Sequence, residues 1–337
     1  MLKGLHALRG IAALAVVLYH ASVWSDVYYA RVFDGFFDFG YIGVDAFFVL
    51  SGFIIFYVHW HDTPGVAAWK QFFVKRLIRI YPPFLPVSCV LLLAYHFLPS
   101  FANGAREVGI VSSLFLVPTP ARPALEVSWT LMHEMLFYLL FSLIYLGRSL
   151  FLWAVAAWGL LLVVTINRSD GMFLSRFFFN VHNIHFLLGM AVAFVAARSN
   201  RLHRTALLAG LAMLALYILS VYARLNQDLF VSHKLEHLLL GILFAAVIYG
   251  LVGLDREGTI RCPRPCMLLG SASYSIYLVH YPLVSLLNRI AAWYYDGSVA
   301  MAYLSFVLIV LSCLAAGILY YRFYEKRALR YLRQRLL

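Results

Sequence analysis

Arg9 and His20 are the first residues in the chain whose types and spacing could do chemistry. They lie in "LRGIAALAVVLYHAS", residues 8–22, a stretch otherwise apolar enough to enter a bilayer. The two are 11 residues apart. On an α-helix that spacing brings both to within roughly 20° of one face and separates them by about 16 Å along the axis. Taken singly, each has an ordinary reading: an arginine snorkels to lipid phosphates, and a histidine makes an interhelical hydrogen bond. Ionisable groups inside a span are costly, however, and normally face a cavity or one another.

Two carboxylates are expected near the depth of His20. "YIGVDAFFVLSGF" opens a second span with Asp45, and "VSWTLMHEMLFY" opens a fourth with Glu134. A carboxylate beside an imidazole fixes its tautomer and stabilises its charged form. His20, Asp45 and Glu134 are therefore the candidate acid–base groups. The alternatives are Asp45 as a cap on its own first helical turn and a purely structural polar cluster. Ser51, beside Gly52 in "LSGF", is a candidate donor contact or an acyl-carrying nucleophile; equally, small residues there permit close helix packing.

At the opposite end, "FVKRLIRIYPPF" supplies Lys75, Arg76 and Arg79. Arg76 and Arg79 are three apart and can share a helical face, and arginine forks match phosphate oxygens. The same residues would also serve as an ordinary cytoplasmic anchor. Cations at the inner face with acid–base groups some 16 Å outward suit a ligand with a polyphosphate head and a thin reactive arm. Acyl-coenzyme A has that form, with Arg9, Lys75, Arg76, Arg79 and Ser51 as its candidate contacts. No permanently bound cofactor is expected.

The elements that must position these groups are membrane helices. Of the 337 residues, 63% are hydrophobic and only 12% are charged, against about 25% charged in a soluble domain. Apolar runs of about 20 residues mark ten spans: 8–25, 41–60, 82–99, 128–146, 150–166, 180–197, 205–222, 235–254, 272–292 and 300–322. "YPPFLP" at 81–86 is expected to break the third span, because proline lacks an amide donor, and donors at that break would steady an oxyanion. "GIVSSLFLVP" at 109–118 is too short to cross. The first helix is read as retained, since "ASVWSD" makes a poor cleavage site.

Orientation follows from the basic residues. Outside the spans, eighteen Lys and Arg fall on the side of the N-terminus and seven, among them Arg106, Arg168 and Arg224, on the other, with Arg9 and Arg289 inside spans and not counted, so both termini are expected to be cytoplasmic. That bias also accounts for the net charge of +12 and leaves no basic, aromatic-interleaved module for nucleic acid. Cys89, Cys262, Cys266 and Cys313 form no disulfide framework, and the two thiols of "CPRPC" lack companion ligands for a metal. "HKLEH" sets His233 and His237 four apart beside Glu236, also without a third ligand, so no metal site is assigned. Trp24, Tyr28, Tyr29, Asn180, His182, Asn183 and His185 suit a sugar or an interfacial belt equally. His280 either lines the donor passage or makes a plain interhelical bond.

The Arg9/His20 pair, "GVDAFFVLSGF", "KRLIRIYP", "SWTLMHE" and the late segment "LGSASYSIYLVHYPL" together resemble the acyltransferase family 3 membrane proteins. The likeness is greatest to the bacterial enzymes that O-acetylate exopolysaccharide or O-antigen sugars, and it covers essentially the whole chain. It implies a single ten-helix transmembrane domain over 1–337 and acetyl-CoA as donor. It also implies His20 in catalysis, Arg9, Arg76 and Arg79 in activity at the donor, and Glu134 in the site. Some relatives append an SGNH hydrolase-like domain; none is expected within these residues.

The resulting expectation is an all-α, multi-pass O-acyltransferase of the bacterial cytoplasmic (inner) membrane. It moves an acyl group from acyl-CoA to a hydroxyl of an exported or polyprenyl-linked glycan, with His20 as general base; an acylated His20 or Ser51 offers a double-displacement route. A relay subunit that passes acyl groups to a separate transferase, and a transporter or flippase, are the competing classes.

Overall fold

The computed structural model describes residues 2–98, 107–166, 172–223 and 233–337, and among them the chain is helices joined by turns and loops, with one isolated β-bridge, Val108 to Arg122. Arg106, Arg168 and Arg224, counted in the orientation argument, lie outside the described residues. The helices are α1 (Lys3–Tyr28), α2 (Ile42–His59), α3 (Val66–Phe97), α4 (Ile110–Phe115), α5 (Trp129–Phe141), α6 (Arg148–Thr165) and α7 (Phe173–Phe178). They continue with α8 (His182–Arg198), α9 (His203–Tyr222), α10 (His233–Arg256), α11 (Arg264–Tyr294), α12 (Val299–Tyr320) and α13 (Lys326–Leu336). Nine segments among the described residues are long and apolar enough to cross a membrane. The remaining expected span, 272–292, falls in α11, which is long enough at 31 residues but carries Ser271, Ser273, Ser275, His280, Asn288 and Arg289. The protein is a polytopic, all-α membrane protein. α4, with six residues, is too short to cross, as its length in sequence implied.

The chain divides into two compact units, described separately. The first comprises Met1–His59 and Ile184–Ile318. Hydrocarbon does not drive apolar helices together as water does, so close backbone approach and dispersion must hold them. The glycines show where this happens. A Cβ on Gly10 of α1 would stand 2.8 Å from the Gly270 nitrogen of α11, and one on Gly270 would stand 2.2 Å from the His6 carbonyl oxygen. Gly52 of α2 faces the Phe186 carbonyl and Gly189 of α8 faces the Val49 carbonyl, in each case leaving 2.1 Å for an added Cβ. The "LSGF" segment thus works as a packing element through Gly52.

The second unit comprises Trp60–Asn183 and Leu319–Leu337. Its core is aromatic, with Phe72, Phe84, Phe137, Phe141 and Phe151 all buried. The expected break at "YPPFLP" does not occur: α3 runs unbroken from Val66 to Phe97 with Pro82, Pro83 and Pro86 inside it. Proline's fixed φ is itself helical, and in a span a broken ladder would strand more polar groups than the prolines remove. A neighbouring hydroxyl bonds the same stretch: Tyr320 donates to the Pro83 carbonyl at 2.7 Å. No helix break therefore supplies oxyanion donors at 81–86. α13, rich in Lys and Arg, packs on α3 after a π-turn over Tyr321–Glu325.

Candidate active site

α1 carries Arg9 and His20, both half-buried. The helix is continuous over 26 residues with no internal proline, so the spacing read from the sequence holds as a rigid ruler. The imidazole of His20 meets a second imidazole. His280 Nε2 lies 3.2 Å from His20 Nδ1, and His20 Nδ1 is also 3.0 Å from the Val16 carbonyl oxygen. His280 is fully buried, and its own Nδ1 lies 2.7 Å from the Tyr277 carbonyl oxygen.

These carbonyls assign the protons. A carbonyl oxygen only accepts, so His280 Nδ1 must carry hydrogen, and its Nε2 in the neutral ring is an acceptor. His20 Nδ1 faces that acceptor and the Val16 oxygen, so it too carries hydrogen. The lone pair of neutral His20 is then on Nε2. This is the orientation that a carboxylate imposes in a serine-protease triad, here imposed by a neutral ring that adds no buried charge. Tyr281 packs edge-on to His20 with centroids 5.1 Å apart, and Tyr19 does so at 5.0 Å.

Asp45 sits in the first turn of α2 and is wholly buried. Its Oδ1 accepts from His237 Nδ1 of α10 at 2.9 Å and lies 3.5 Å from His185 Nδ1 of α8. His185 Nε2, 2.8 Å from the His237 carbonyl oxygen, donates to it. The carboxylate–imidazole pair expected from sequence therefore forms at His237, while the hydrogen bond to His20 comes from His280. The "HKLEH" acid has its own partners: Glu236 is buried and accepts from Tyr41 at 2.7 Å and from Tyr217, with His233 Nδ1 at 3.2 Å. Tyr41 packs edge-on against both Tyr19 and His237, which connects the two histidine centres through rings. Ser51 is half-buried on α2.

In the second unit, Lys75, Arg76 and Arg79 lie on α3, all half-buried. Arg79 is held by Glu325 from the π-turn, Nη1 to Oε1 2.5 Å, with Glu325 buried. Arg76 places its guanidinium over the rings of Phe72 and Tyr138, 5.7 and 5.9 Å from their centroids. Tyr138 donates to Glu134 one turn earlier on α5, and both arginines act on it electrostatically. Glu134 thus shares its surroundings with the basic cluster of its own unit. His133, its neighbour, bonds Asn183 at 3.0 Å. Asn183 also donates to the Phe177 and Phe178 carbonyls, and Asn180 accepts from the His182 backbone and ring. These amides of "NVHNIH" hold the turn into α8.

Trp24 and Tyr28, four and eight residues beyond His20 on α1, stack on each other at 5.5 Å. Sequence reasoning gave no role to Glu325, His237 or Arg289 and left that of His280 open. The available signal was an ionisable residue in an apolar run: "YLVHYPL" for His280 and "LLNRIAA" for Arg289.

A family model described as an acyltransferase domain matches residues 2–324. Among curated proteins, the chain is 29% identical over 324 residues to the peptidoglycan O-acetyltransferase OatA of Listeria monocytogenes, covering 83% of this chain and 49% of that one. It is 25% identical over 363 residues to the O-acetyltransferase OatA of Staphylococcus aureus, covering 96% of this chain and 56% of that one. The chain thus spans about half the length of these relatives. No solved structure matches.

Proposed function

From the premise that this chain belongs to the acyltransferase domain family and is an acyltransferase, we propose that it moves an acetyl group from acetyl-CoA to a hydroxyl of a glycan, with Nε2 of His20 as general base. The names of the relatives support O-acetylation and a glycan acceptor. The observation that carries the reading is the His20–His280 contact, because it leaves His20 with its lone pair on one defined nitrogen.

Nε2 of His20 takes the proton of the acceptor hydroxyl as its oxygen attacks the thioester carbonyl. The imidazolium so formed keeps Nδ1–H on His280 Nε2 and the Val16 oxygen, so the charge develops against acceptors already in place. Collapse of the tetrahedral intermediate breaks the C–S bond, and Nε2–H returns the proton to the departing thiolate. Lys75, Arg76 and Arg79, with Arg9, are assigned to the donor's phosphates, and Glu325 fixes the direction of the Arg79 fork. Asp45 is assigned to orienting His237, and Glu134 to the basic cluster. In this reading residues 1–337 act as one acyltransferase domain of the bacterial cytoplasmic membrane, with the donor entering from the cytoplasmic side.

The test is acetyl transfer from labelled acetyl-CoA by proteoliposomes carrying His20→Ala. The reading expects transfer to fall by a factor of at least about 10² with the protein still folded. Wild-type transfer by that variant would end it. Consumption of thioester by the purified protein also separates this reading from a transporter, which would leave the thioester intact.

A further inference from the structure

Residues 326–337, "KRALRYLRQRLL", contain five Lys and Arg and no Asp or Glu, and all but the last form α13. At about 100° per residue, Lys326, Arg327, Arg330 and Arg333 share an arc of roughly 120°, while Ala328, Leu329, Leu332 and Leu336 take the opposite side. The apolar arc is turned inward: α13 packs on α3, Leu329 is buried, and Ala328 and Leu332 are half-buried. Two ties just before the helix hold it there, the Tyr320 hydroxyl on the Pro83 carbonyl at 2.7 Å and Glu325 on Arg79. The basic arc is left facing away from the unit. Lys326, Arg330 and Arg333 are all exposed, as is Arg322 in the preceding π-turn.

Among the described residues, none of Arg322, Lys326, Arg330 and Arg333 has a carboxylate or ring partner. Arg327 and Arg335 differ, since their guanidinium carbons lie 5.8 Å from the Phe323 centroid and 4.7 Å from the Tyr331 centroid. Those two rings are themselves exposed, at 61% and 52%, as aromatic residues at a membrane surface are. The chain reaches α13 from the α12 span through only the five residues of the π-turn. A cluster of four to eight basic residues immediately after a span, or on an amphipathic helix, holds anionic lipid headgroups. The four unpartnered cations spread over about 16 Å of helix. The half-buried Lys75, Arg76 and Arg79 are set closer together and suit one soluble polyphosphate, whereas a long, fully exposed strip suits charge presented by the bilayer.

We propose that Arg322, Lys326, Arg330 and Arg333 form a docking surface for the phosphates of anionic phospholipids. Recognition is of negative charge and phosphate oxygen, by three guanidinium forks and one ammonium. The surface uses none of the groups assigned to acyl transfer and stands whether or not His20 is the base. Lys326 adjoins Glu325, the partner of Arg79, so the lipid surface begins one residue from the tie that fixes this segment to α3.

The test titrates the full chain in detergent micelles with phosphatidylglycerol or with phosphatidylcholine of the same acyl chains, and counts retained lipids by native mass spectrometry. Wild-type protein is expected to bind the first phosphatidylglycerol at least about fivefold more tightly than phosphatidylcholine, the factor that a single basic residue supplies at an anionic surface. Changing Arg322, Lys326, Arg330 and Arg333 together to Gln should bring the two lipids within about twofold. Changing the three arginines to Lys should keep most of the preference. A control variant removes equal charge from exposed residues elsewhere, Lys70, Arg201, Arg261 and Arg264 to Gln, and should bind as the wild type does. Circular dichroism and thermal unfolding confirm that each variant is folded. Equal binding of the two lipids by the wild type, an undiminished preference in the four-site variant, or the same loss in the control variant would overturn the proposal. Displacement of phosphatidylglycerol by acetyl-CoA or inorganic phosphate would also overturn it, by assigning these cations to a soluble phosphate.

Discussion

Replacing His280 by leucine tests how far a neutral ring can do the orienting work of a carboxylate. The substitution removes the Nε2 acceptor 3.2 Å from His20 Nδ1 but leaves the Val16 carbonyl at 3.0 Å. His20 therefore keeps one of its two acceptors. A hydrogen bond to a group that becomes charged in the transition state contributes about 1.5–3 kcal/mol. Because the remaining carbonyl recovers part of it, the expected loss is about 1–2 kcal/mol, or roughly 5–30-fold in kcat. The Michaelis constant for acetyl-CoA should be unchanged, since the proposed mechanism gives His280 a role at the base and none at the donor. Glutamine at 280 offers an amide oxygen as acceptor and should recover part of the rate, whereas leucine should not. The assay is acetyl transfer in proteoliposomes, with thermal unfolding in detergent as the control for folding. If His280→Leu kept kcat within twofold, or if leucine and glutamine were equally impaired with unchanged stability, the orienting role would be refuted.

The remaining predictions concern packing and the basic cluster. Gly52→Ala places a Cβ 2.1 Å from the Phe186 carbonyl oxygen and should cost about 1–3 kcal/mol by overpacking, read as a lower midpoint in detergent unfolding. Glu325→Ala leaves Arg79, whose side chain is 25% exposed, without its carboxylate; the expected cost is about 1–3 kcal/mol, below that of a fully buried pair. The double variant with Arg79→Ala should recover part of this, giving a measurable coupling energy. Asp45→Ala removes the acceptor of His237 and should destabilise by about 1.5–3 kcal/mol, while Asp45→Asn, which retains an oxygen acceptor, should cost less.

The fold was legible because hydropathy alone sets it. Long apolar runs of this kind are helices in a bilayer, and the Arg9–His20 spacing survives because α1 is uninterrupted. The prolines of α3 misled the reading. In water three prolines would end a helix, but in a span a continuous helix costs less than a break that strands further backbone groups. Partnerships across the unit were not legible. Asp45 and His20 each needed a partner, and sequence order made them partners of one another. The packing of α1 against α11 brings His280 to His20, and that of α2 near α8 and α10 brings His237 to Asp45. Glu325 escaped notice because it sits in a basic tail segment, "YRFYEKRALR", where a lone acid reads as a surface residue until the π-turn buries it against Arg79. Arg289 drew no role because it fell inside a span, and its bond to the Tyr28 hydroxyl depends on how α11 crosses α1.

The central claim is that neutral His20 carries its proton on Nδ1 and its lone pair on Nε2. Nitrogen-15 solid-state NMR of histidine-labelled protein in liposomes measures this directly, with the His20→Asn difference spectrum assigning the ring. The account predicts a ring protonated at Nδ1 with a bare Nε2, and a weaker bias in His280→Leu, where the Val16 carbonyl remains as acceptor. A His20 ring protonated at Nε2 in the resting enzyme would contradict it.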